Sequence, residues 1–562
     1  MSVSVFATAA LLPVRLRIPG PFRLLLALVV GGVSAERFNA FWRAGPTDFD
    51  DAYMYLRYAH SALAGQWLAW NPGEPPVYGV TSLLHLLFVT LIRGLLPGVG
   101  HAVVLQVASG LATVFLLAGL AALCGRFCQC ARLRGNYLFW GALLLPLLCF
   151  REAFFFQAHT GMDTMLAALA NTAVVFASLH LAERPSSGRA LAAAVVGLVA
   201  IEARPDNVII AALCPLLALV LLAPRPRLRP LMLWAGTFAG LVLIDLTLKW
   251  RVLGTPVPLA FYAKQPWYYQ GFVGEFTWNP FWFLEVALAT VSPFLAATLI
   301  FARRASLRLL LVLLIPAVAT MAALFFVNQI MGHLGRLYFP SLPLLVAAGV
   351  LVTDRWMSDP PTTGLLRSLL IRLACALLVL FGGARALEAA GRVYQDRAQT
   401  QTLASLDGYQ ISAAETLPEI DSWRASREMA RLAAESAPGT SFAMSEHGLV
   451  GAEAPRAVII DLLGLHDAIF ARAGFSAAEL WRRRPDVIWM PHPDHTQMLH
   501  DILASNQLWQ DYVFYPDAFT YGVAFRKDGP EFSALQAHFL KQWAGLYPGF
   551  LPENYLARQS RR

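Results

Sequence analysis

Long apolar segments recur along this 562-residue chain from Leu24 to about Gly383 and then stop. Each approaches the roughly 17–25 residues that a helix needs to cross the hydrocarbon core of a bilayer. Because 57% of the residues are hydrophobic and only 14% are charged, the composition excludes a soluble enzyme, a disordered protein and a disulfide-stapled secreted domain. The pattern predicts a polytopic α-helical membrane region at 1–387 and a soluble domain at 388–562.

About eleven of the apolar segments could each form one membrane-spanning helix. They are Leu24–Ala40, His101–Leu123, Tyr137–Phe156, Asp163–Leu181, Ala190–Ala203, Val208–Ala223, Leu231–Leu248, Phe281–Phe301, Leu309–Val327, Leu337–Val352 and Leu369–Gly383. The apolar stretch Val80–Pro97 is ambiguous, because it either crosses the bilayer or lies along its surface. Every later loop changes sides with that choice, so the distribution of arginine can decide it.

Arginine is very unequally divided between alternate loops if Val80–Pro97 lies along the outer surface. One set of loops then holds short clusters such as Arg225, Arg227 and Arg229, and the positive-inside rule places that set in the cytoplasm. An odd number of spans carries the region after about Glu388 to the outer side of a bacterial inner membrane. The net charge of +8 therefore reflects topology and does not indicate a nucleic-acid partner.

The first outer loop, at 41–100, carries the adjacent acids Asp50 and Asp51 just beyond the first span. Adjacent carboxylates at a membrane surface suit a general base acting on an acceptor hydroxyl, or a pair that holds a divalent cation against a phosphate. The alternative is a capped amphipathic helix, with Asp50 at the N-cap and Asp51 in the first turn, where the helix dipole favours acids. Spacing alone does not separate these interpretations.

Further polar residues lie at the predicted outer ends of the spans and in the outer loops. They are Asp163, Arg204, Asp206, Lys264, His333 and Arg336. Cations at that depth can bind an anionic head group such as a phosphate. Each residue alone is also explained by helix capping or by a side chain that reaches to the interface. The concentration of such groups on one predicted side favours a functional site.

A succession of short motifs runs from Asp48 to Asp467. In chain order the motifs are DDAYMYLRYA, WNPGE, YGVTSLL, TGMDT, ARPD, FYAK, RLYFPSLP and VIIDLLGLHD. They resemble the GT-C superfamily of membrane glycosyltransferases, and within it the bacterial arabinofuranosyltransferase-like members. The resemblance implies a GT-C fold and a polyprenyl-phosphate-linked sugar donor, which enters from the bilayer while an acceptor hydroxyl arrives from the outer side.

The resemblance also implies roles for individual residues. The family's acids in the first outer loop are catalytic, which corresponds to Asp50 and Asp51 here, with Asp50 slightly preferred. Asp163 would be a second acid of the site. The remaining candidates for donor or substrate binding, among which the cations would contact the donor phosphate or sugar, are Tyr53, Arg57, Tyr78, Thr81, Arg204, Asp206, Lys264, His333 and Arg336. His333 stands where relatives often have an acid, so it departs from the family pattern.

After Gly383 the composition turns polar, and short alternating runs predict a small α/β domain. The predicted strands are Ser441–Met444, Ala457–Leu462, Val487–Met490, Tyr512–Tyr515 and Tyr521–Arg526, and the predicted helices are Leu403–Glu415 and Ser422–Ala437. Histidines cluster in its loops, at His447, His466, His492 and His495. For the H-P-D-H run, which holds His492 and His495, a solvated loop is a better explanation than a metal site. The predicted outer location suggests that the domain grips or covers the acceptor glycan.

These patterns predict a membrane enzyme that transfers a sugar, D-arabinofuranose by the family resemblance, from polyprenyl phosphate to an extracytoplasmic glycan or protein. A hexose such as mannose is the alternative within this class. The alternative from another class is a transporter or lipid flippase, but most charges lie at the ends of spans rather than at the midplane, with Asp245 as the main exception. A divalent cation held by Asp50, Asp51 and Asp163 is the one cofactor that the pattern leaves open.

Overall fold

The computed structural model consists of an all-helical N-terminal part and a C-terminal part in which helices surround one sheet. The residues that it describes are 20–45, 48–130, 133–224, 228–264, 280–327, 329, 332–358, 365–400, 417–418, 420–493 and 495–552. The predicted helix Leu403–Glu415 lies outside the described residues.

Helices make up the described N-terminal part of the chain. In chain order they are α1 (Gly20–Arg43), α2 (Asp50–Leu63), α3 (Leu83–Leu95), α4 (His101–Phe127), α5 (Tyr137–Cys149), α6 (Glu152–His159), α7 (Thr164–Glu183), α8 (Ser187–Ala203), α9 (Val208–Leu221), α10 (Leu228–Leu253), α11 (Ala260–Ala263), α12 (Pro280–Thr290), α13 (Ser292–Phe301), α14 (Leu307–Ala323), α15 (Leu342–Ser358) and α16 (Leu365–Thr400). The helix α16 continues past the predicted domain boundary at 387.

Seven helices of the described part are long and apolar enough to cross a membrane, and the number rises to nine if each of two bent pairs is one span. The prediction of about eleven spans also counted α8 and α9, which have 17 and 14 residues. The helix α3 has 13 residues and a length of about 20 Å, which is too short for a hydrocarbon core of about 30 Å. The chain is therefore a polytopic helical membrane protein, as predicted.

Two predicted spans are broken by sharp bends. The chain turns by 94° between α5 and α6 and by 72° between α12 and α13. Pro293 stands in the first turn of α13, where its missing N–H is tolerated but where a continuous helix running through from α12 would lose a hydrogen bond. Between α5 and α6, Arg151 has an extended backbone, so the helical ladder stops there.

The C-terminal part contains a five-stranded mixed sheet with the strand order β2-β1-β3-β5-β4. Its elements are α17 (Ser422–Glu435), β1 (Ser441–Met444), α18 (Gly448–Glu453), β2 (Val458–Asp461), α19 (Ala468–Ala473), α20 (Ala477–Arg483), β3 (Val487–Trp489), α21 (Thr496–Leu503), α22 (Asn506–Asp511), β4 (Tyr512–Tyr515), β5 (Val523–Arg526) and α23 (Phe532–Leu546). The strand β1 is parallel to β2 and β3, whereas β5 is antiparallel to β3 and β4. All five predicted strands occur, within two residues of their predicted bounds.

The two faces of this sheet pack into different cores. Successive side chains of a strand point to opposite faces, so Phe442 and Ala443 of β1 belong to separate clusters. The cluster that contains Phe442 also contains Trp70 and Tyr58 of the first outer loop. One face of the sheet therefore shares its core with the loop at 41–100.

Asp50 fixes one end of the contact between the first outer loop and the C-terminal part. It is the first residue of α2, and its carboxylate oxygens accept hydrogen bonds from the backbone N–H groups of Gly448 and Leu449, both at 2.8 Å. These are the first two residues of α18, whose N–H groups have no partner within their own helix. The acid thus caps a helix of the C-terminal part and complements the positive end of its dipole.

Arg57 holds the other end of the same contact. It lies about two helical turns beyond Asp50, so it reaches the far end of the six-residue helix α18. Its guanidinium donates all five N–H groups to buried oxygens, with donor–acceptor distances of 2.7–3.2 Å. The acceptors are the carbonyl oxygens of Trp70, Gly451, Ala454 and Ala457 and the side-chain oxygen of Asn71. The predicted ligand-binding residue Arg57 is therefore fully engaged in joining the C-terminal part to the first outer loop.

Replacing Arg57 with methionine should keep much of the side-chain volume and remove all five donors. Because several buried carbonyl oxygens would lose their partner, we expect the free energy of unfolding to fall by at least about 2 kcal/mol. Thermal unfolding of the full chain in detergent, followed by tryptophan fluorescence, measures this loss.

The matched control is Arg427→Met. Arg427 is 57% exposed and pairs with Asp48 at 3.5 Å across the same interface, so its removal should change the free energy by less than about 0.5 kcal/mol. Equal unfolding temperatures for Arg57→Met and the unmodified chain would contradict the structural role of Arg57.

Candidate active site

Five charged side chains from separate segments of the chain converge beside α2. They are Asp51, Asp163, Arg204, Lys264 and Arg336, which we call the charged cluster. The guanidinium of Arg336 lies 3.4 Å from the carboxylate of Asp51 and 3.9 Å from that of Asp163. Arg204 is an electrostatic neighbour of Asp163. Lys264 interacts electrostatically with Asp51, Arg204 and Arg336. The residues that the sequence placed at one side of the membrane region are thus brought together.

Arg336 is placed by a tight turn at His333–Gly335. Leu334 and Gly335 both have positive φ, of 50° and 75°. A Cβ atom on Gly335 would lie 2.5 Å from the carbonyl oxygen of Phe283, so only glycine permits this close approach to α12. Beyond the turn, the guanidinium of Arg336 lies over the ring of Phe49, 5.2 Å from its centroid.

Asp163 is placed by a close approach between the turn before α7 and the helices α2 and α4. Gly161 has a φ of 75°, and a Cβ there would lie 2.7 Å from Cβ of Leu105. The carboxylate of Asp163 accepts hydrogen bonds from the hydroxyl groups of Tyr55, at 3.4 Å, and Thr81, at 3.3 Å. The side chain of Asp163 is only 1% exposed, so its orientation is fixed by these buried contacts.

Arg204 follows the last turn of α8 and has an extended backbone ahead of Pro205. Its Nε donates to the carboxylate of Asp206 at 2.9 Å, and its side chain is 8% exposed. Asp206 thus pairs with Arg204 at the edge of the charged cluster.

Three buried polar atoms of the charged cluster have no hydrogen-bond partner among the described residues. They are Nη1 of Arg204, Nε of Arg336 and Oδ1 of Asp163. Buried polar groups in proteins are almost always hydrogen-bonded, and those that are not call for a ligand, an ion or a water molecule. The arrangement can therefore accept an anion on its arginines and a hydroxyl group on Asp163.

Lys264 ends the short helix α11 and is partly buried. Burial lowers the pKa of its ammonium group, whereas the nearby carboxylate of Asp51 opposes that change. Among the described residues, no carboxylate lies within 4 Å of its Nζ atom. Lys264 is thus a cation that a bound anion could engage.

The structure separates the surroundings of Asp50 and Asp51. Both oxygens of Asp50 are engaged by backbone N–H groups of α18, and burial raises its pKa against the opposing influence of His447 and those two N–H groups. The side chain of Asp51 is 17% exposed and faces Arg336. This geometry favours Asp51 for chemistry, whereas the sequence-based prediction slightly preferred Asp50.

The remaining predicted residues divide between the charged cluster and other contacts. Thr81 contacts Asp163, and His333 contacts the ring of Phe49 at 5.8 Å between centroids. The ring of Tyr53 instead packs against Trp423 of α17, at 5.7 Å between centroids.

Tyr78 belongs to a second group of charges. The ammonium of Lys249 lies 5.5 Å from the centroid of its ring, and that ammonium also pairs with Glu202 at 2.5 Å and Asp245 at 2.7 Å. Asp245, the main charged residue predicted inside the membrane region, is therefore neutralised by a lysine one helical turn away.

Two residues of the site were missed by the sequence analysis. Tyr55 bonds to Asp163, and His85 fixes the turn before Asp163 through a hydrogen bond of 2.9 Å to the carbonyl oxygen of Gly161. The position of Tyr55, four residues after Asp51, could have identified it as a neighbour on the same helical face. Nothing in the spacing of His85 signals its contact.

The predicted metal set of Asp50, Asp51 and Asp163 does not come together as a group of ligands. Within the described residues, the one group of three His, Cys, Asp or Glu side chains whose ligand atoms lie within 4.8 Å of one another is His447, Asp461 and His466. A divalent cation on the three acids stays a prediction from sequence.

Comparisons with known proteins find matches among solved structures. No family model matches the sequence, and a search of curated proteins finds no match either. Among solved structures, the chain is similar to the crystal structure of ArnT from Cupriavidus metallidurans bound to undecaprenyl phosphate, with 14% sequence identity and a TM-score of 0.48. The similarity covers 90% of this chain and 98% of that one. These values are too low for residue roles to be transferred, so the roles below rest on this chain's own sequence and geometry.

Replacing Asp50 with asparagine tests its assignment as a helix cap. One amide oxygen can accept from one N–H group of α18, but the amide nitrogen would then face the second N–H group, so we expect a loss of about 1–3 kcal/mol in the free energy of unfolding. Chemical denaturation of the full chain in detergent measures it. Asp48→Asn is the control, because Asp48 is 61% exposed, and it should be neutral. Equal stability of the two variants would remove the capping role.

Proposed function

We propose that the protein is a glycosyltransferase of the GT-C type, which moves a sugar from a polyprenyl-phosphate donor to an acceptor hydroxyl on the outer side of the membrane. The observation that carries the proposal is the charged cluster. Three cations and two carboxylates lie together there, and three of their polar atoms have no hydrogen-bond partner among the described residues. The order of the motifs from Asp48 to Asp467 supports the same class. The sugar proposed from those motifs is D-arabinofuranose.

The cations Arg204, Lys264 and Arg336 suit the donor phosphate. When the bond between the sugar and the phosphate breaks, negative charge grows on the phosphate oxygens, and preorganised N–H donors stabilise it in the transition state. The N–H groups of Arg204 and Arg336 that have no partner among the described residues are available for this contact. The leaving group is polyprenyl phosphate, which departs with the electron pair of the broken bond.

Asp51 suits the general base. It accepts the proton of the acceptor hydroxyl while the hydroxyl oxygen forms a bond to the anomeric carbon of the sugar. Asp163 is held by Tyr55 and Thr81 through one oxygen, and its other oxygen has no partner among the described residues, so it suits a fixed contact to Arg336 and to a sugar hydroxyl. Asp51 thus serves proton transfer, and Asp163 serves to position Arg336 and the sugar.

An apolar groove suits the lipid chain of the donor. A cavity of about 560 Å³ between α1, α4, α5 and α6 is lined almost entirely by apolar side chains. Phe156 lies on α6, which lines this groove, and its ring contacts that of Phe49 at 6.5 Å between centroids. The guanidinium of Arg336 lies over the other ring of this pair, that of Phe49. A lipid chain in the groove would therefore bring its phosphate toward the charged cluster.

The alternative of a transporter or flippase is not favoured by the arrangement of charges. The intramembrane acid Asp245 is paired with Lys249, so it does not offer a free charge along a path through the membrane. A transporter would move the lipid-linked sugar without forming a new glycosidic bond. Product analysis therefore separates the two classes.

The deciding experiment uses the full chain reconstituted in liposomes with a panel of polyprenyl-phosphate sugars and mass spectrometry of the products. We expect transfer of a pentose, and a hexose product would correct the sugar while keeping the class. Asp51→Asn should reduce turnover by about 10²–10⁴-fold, because the base is lost. Asp48→Asn, in the same loop but outside the charged cluster, is the control and should keep full turnover. Full transfer by Asp51→Asn would exclude this mechanism.

The pH dependence of turnover tests the role of Lys264. Burial lowers the pKa of its ammonium below that of an exposed lysine, so the positive charge is lost earlier as the pH rises. We expect kcat/KM for the donor to fall on the alkaline side, because this parameter reports the free enzyme. Lys264→Arg keeps its charge to higher pH and should move the alkaline limb upward. An unchanged limb would mean that Lys264 does not bind the phosphate in its charged form.

A further inference from the structure

His447, Asp461 and His466 form a buried group beside the charged cluster. The side chains of His447 and Asp461 are 0% exposed, and His466 is also buried, because the loops after β1 and β2 face the first outer loop, which covers them. His495, for which the sequence predicts a solvated loop, is buried as well, so that prediction is wrong for His495.

Each histidine of the group has one ring nitrogen fixed and the other free. Nδ1–H of His447 donates to the carbonyl oxygen of Ser445 at 2.7 Å, and Nδ1 of His466 shares a hydrogen bond of 3.0 Å with the hydroxyl of Tyr58. Nε2 of both rings has no hydrogen-bond partner among the described residues, although both are buried. Each ring therefore keeps one buried nitrogen without a partner among the described residues.

Asp461 supplies the third group. Its two oxygens accept the backbone N–H groups of Leu463 at 2.8 Å and His466 at 2.6 Å, which fixes the carboxylate and leaves further lone pairs. One ligand atom from each of the three residues lies within 4.8 Å of the others. Two imidazoles and one carboxylate are a donor set that zinc and similar divalent ions bind.

The rings are held in place by the first outer loop. Trp70 stacks on His466 with 3.8 Å between ring centroids and an angle of 10° between planes. A Cβ on Gly79 would lie 2.1 Å from Nδ1 of His466, so the loop at this point passes directly against the ring. Rings that are oriented by stacking, by a carbonyl group and by a hydroxyl group have the outer contacts typical of metal-ligating histidines.

Charges of both signs surround the group. Asp50 and Asp461 are electrostatic neighbours of His447, whereas Arg57 and Lys264 are neighbours of His466. Arg57 is already engaged in five hydrogen bonds, and the two carboxylates lie on the side of His447. The balance is compatible with a cation on the side of His447 and Asp461.

We propose that His447, Asp461 and His466 bind a divalent transition-metal ion of the zinc type, with water completing the coordination. The site is independent of the proposed transfer reaction. It would link the loops after β1 and β2 to Tyr58 and Trp70 of the first outer loop, and it would therefore stabilise the seat of the C-terminal part on α2.

The test uses the full chain, purified in detergent without a histidine tag, stripped with a chelator and dialysed against ZnCl₂. Elemental analysis should find roughly one zinc per chain, and chelation should lower the unfolding temperature of the unmodified chain by several degrees, reversibly. Cobalt in place of zinc should give the visible absorption of a four-coordinate N/O site.

Substitution identifies the ligands. His447→Gln and His466→Gln should each lose the bound zinc and the chelator-dependent shift, whereas the matched control His538→Gln, at a half-exposed histidine beside Glu435, should retain both. Zinc binding that survives in both site variants would overturn the proposal. If these variants fail to fold, the unmodified chain decides the matter, because the absence of zinc, of the cobalt spectrum and of a chelator effect would also overturn it.

Discussion

The buried guanidinium of Arg57 is the contact on which the arrangement of this protein depends. Three of its acceptors are carbonyl oxygens at and just beyond the end of α18, where helix carbonyls lack partners and carry partial negative charge. Asp50 meets the opposite, positive end of the same helix. A cation and an anion two turns apart on α2 thus match both ends of one short helix. The C-terminal part is fixed to the first outer loop by polar contacts as well as by the shared core.

The charged cluster differs from Arg57, because only some of its polar groups have hydrogen-bond partners among the described residues. Three cations face two carboxylates, and N–H groups of Arg204 and Arg336 stay without hydrogen-bond partners among the described residues. Asp206 pairs with Arg204, so the charges are matched, but N–H groups that are buried without a partner are unfavourable until an anion accepts from them, and the low dielectric strengthens that attraction. Groups that are left unsatisfied in the free protein are therefore a source of affinity for a phosphate.

Sequence patterns were sufficient where the signal is local. The five strands were predicted because successive side chains of a strand alternate between two faces. Helix ends on one side of a membrane share a surface, which is why the sequence grouped Asp163, Arg204, Lys264 and Arg336. The bends at Arg151 and Pro293 were missed, since apolar composition continues through both breaks. The burial of Arg57 and His466 depends on partners about 400 residues away in the chain, and no spacing rule connects such positions.

Two adjacent acids can serve different purposes because neighbouring residues on a helix point about 100° apart. Asp50 and Arg57 lie on the face of α2 that holds α18, while Asp51 and Tyr55, one turn apart, lie on the face that meets Arg336 and Asp163. A single helix therefore sets both the position of the C-terminal part and the geometry of the charged cluster. Any change that shifts α2 to loosen the first face must also move the carboxylate of Asp51, so stability and chemistry are coupled through one rigid element.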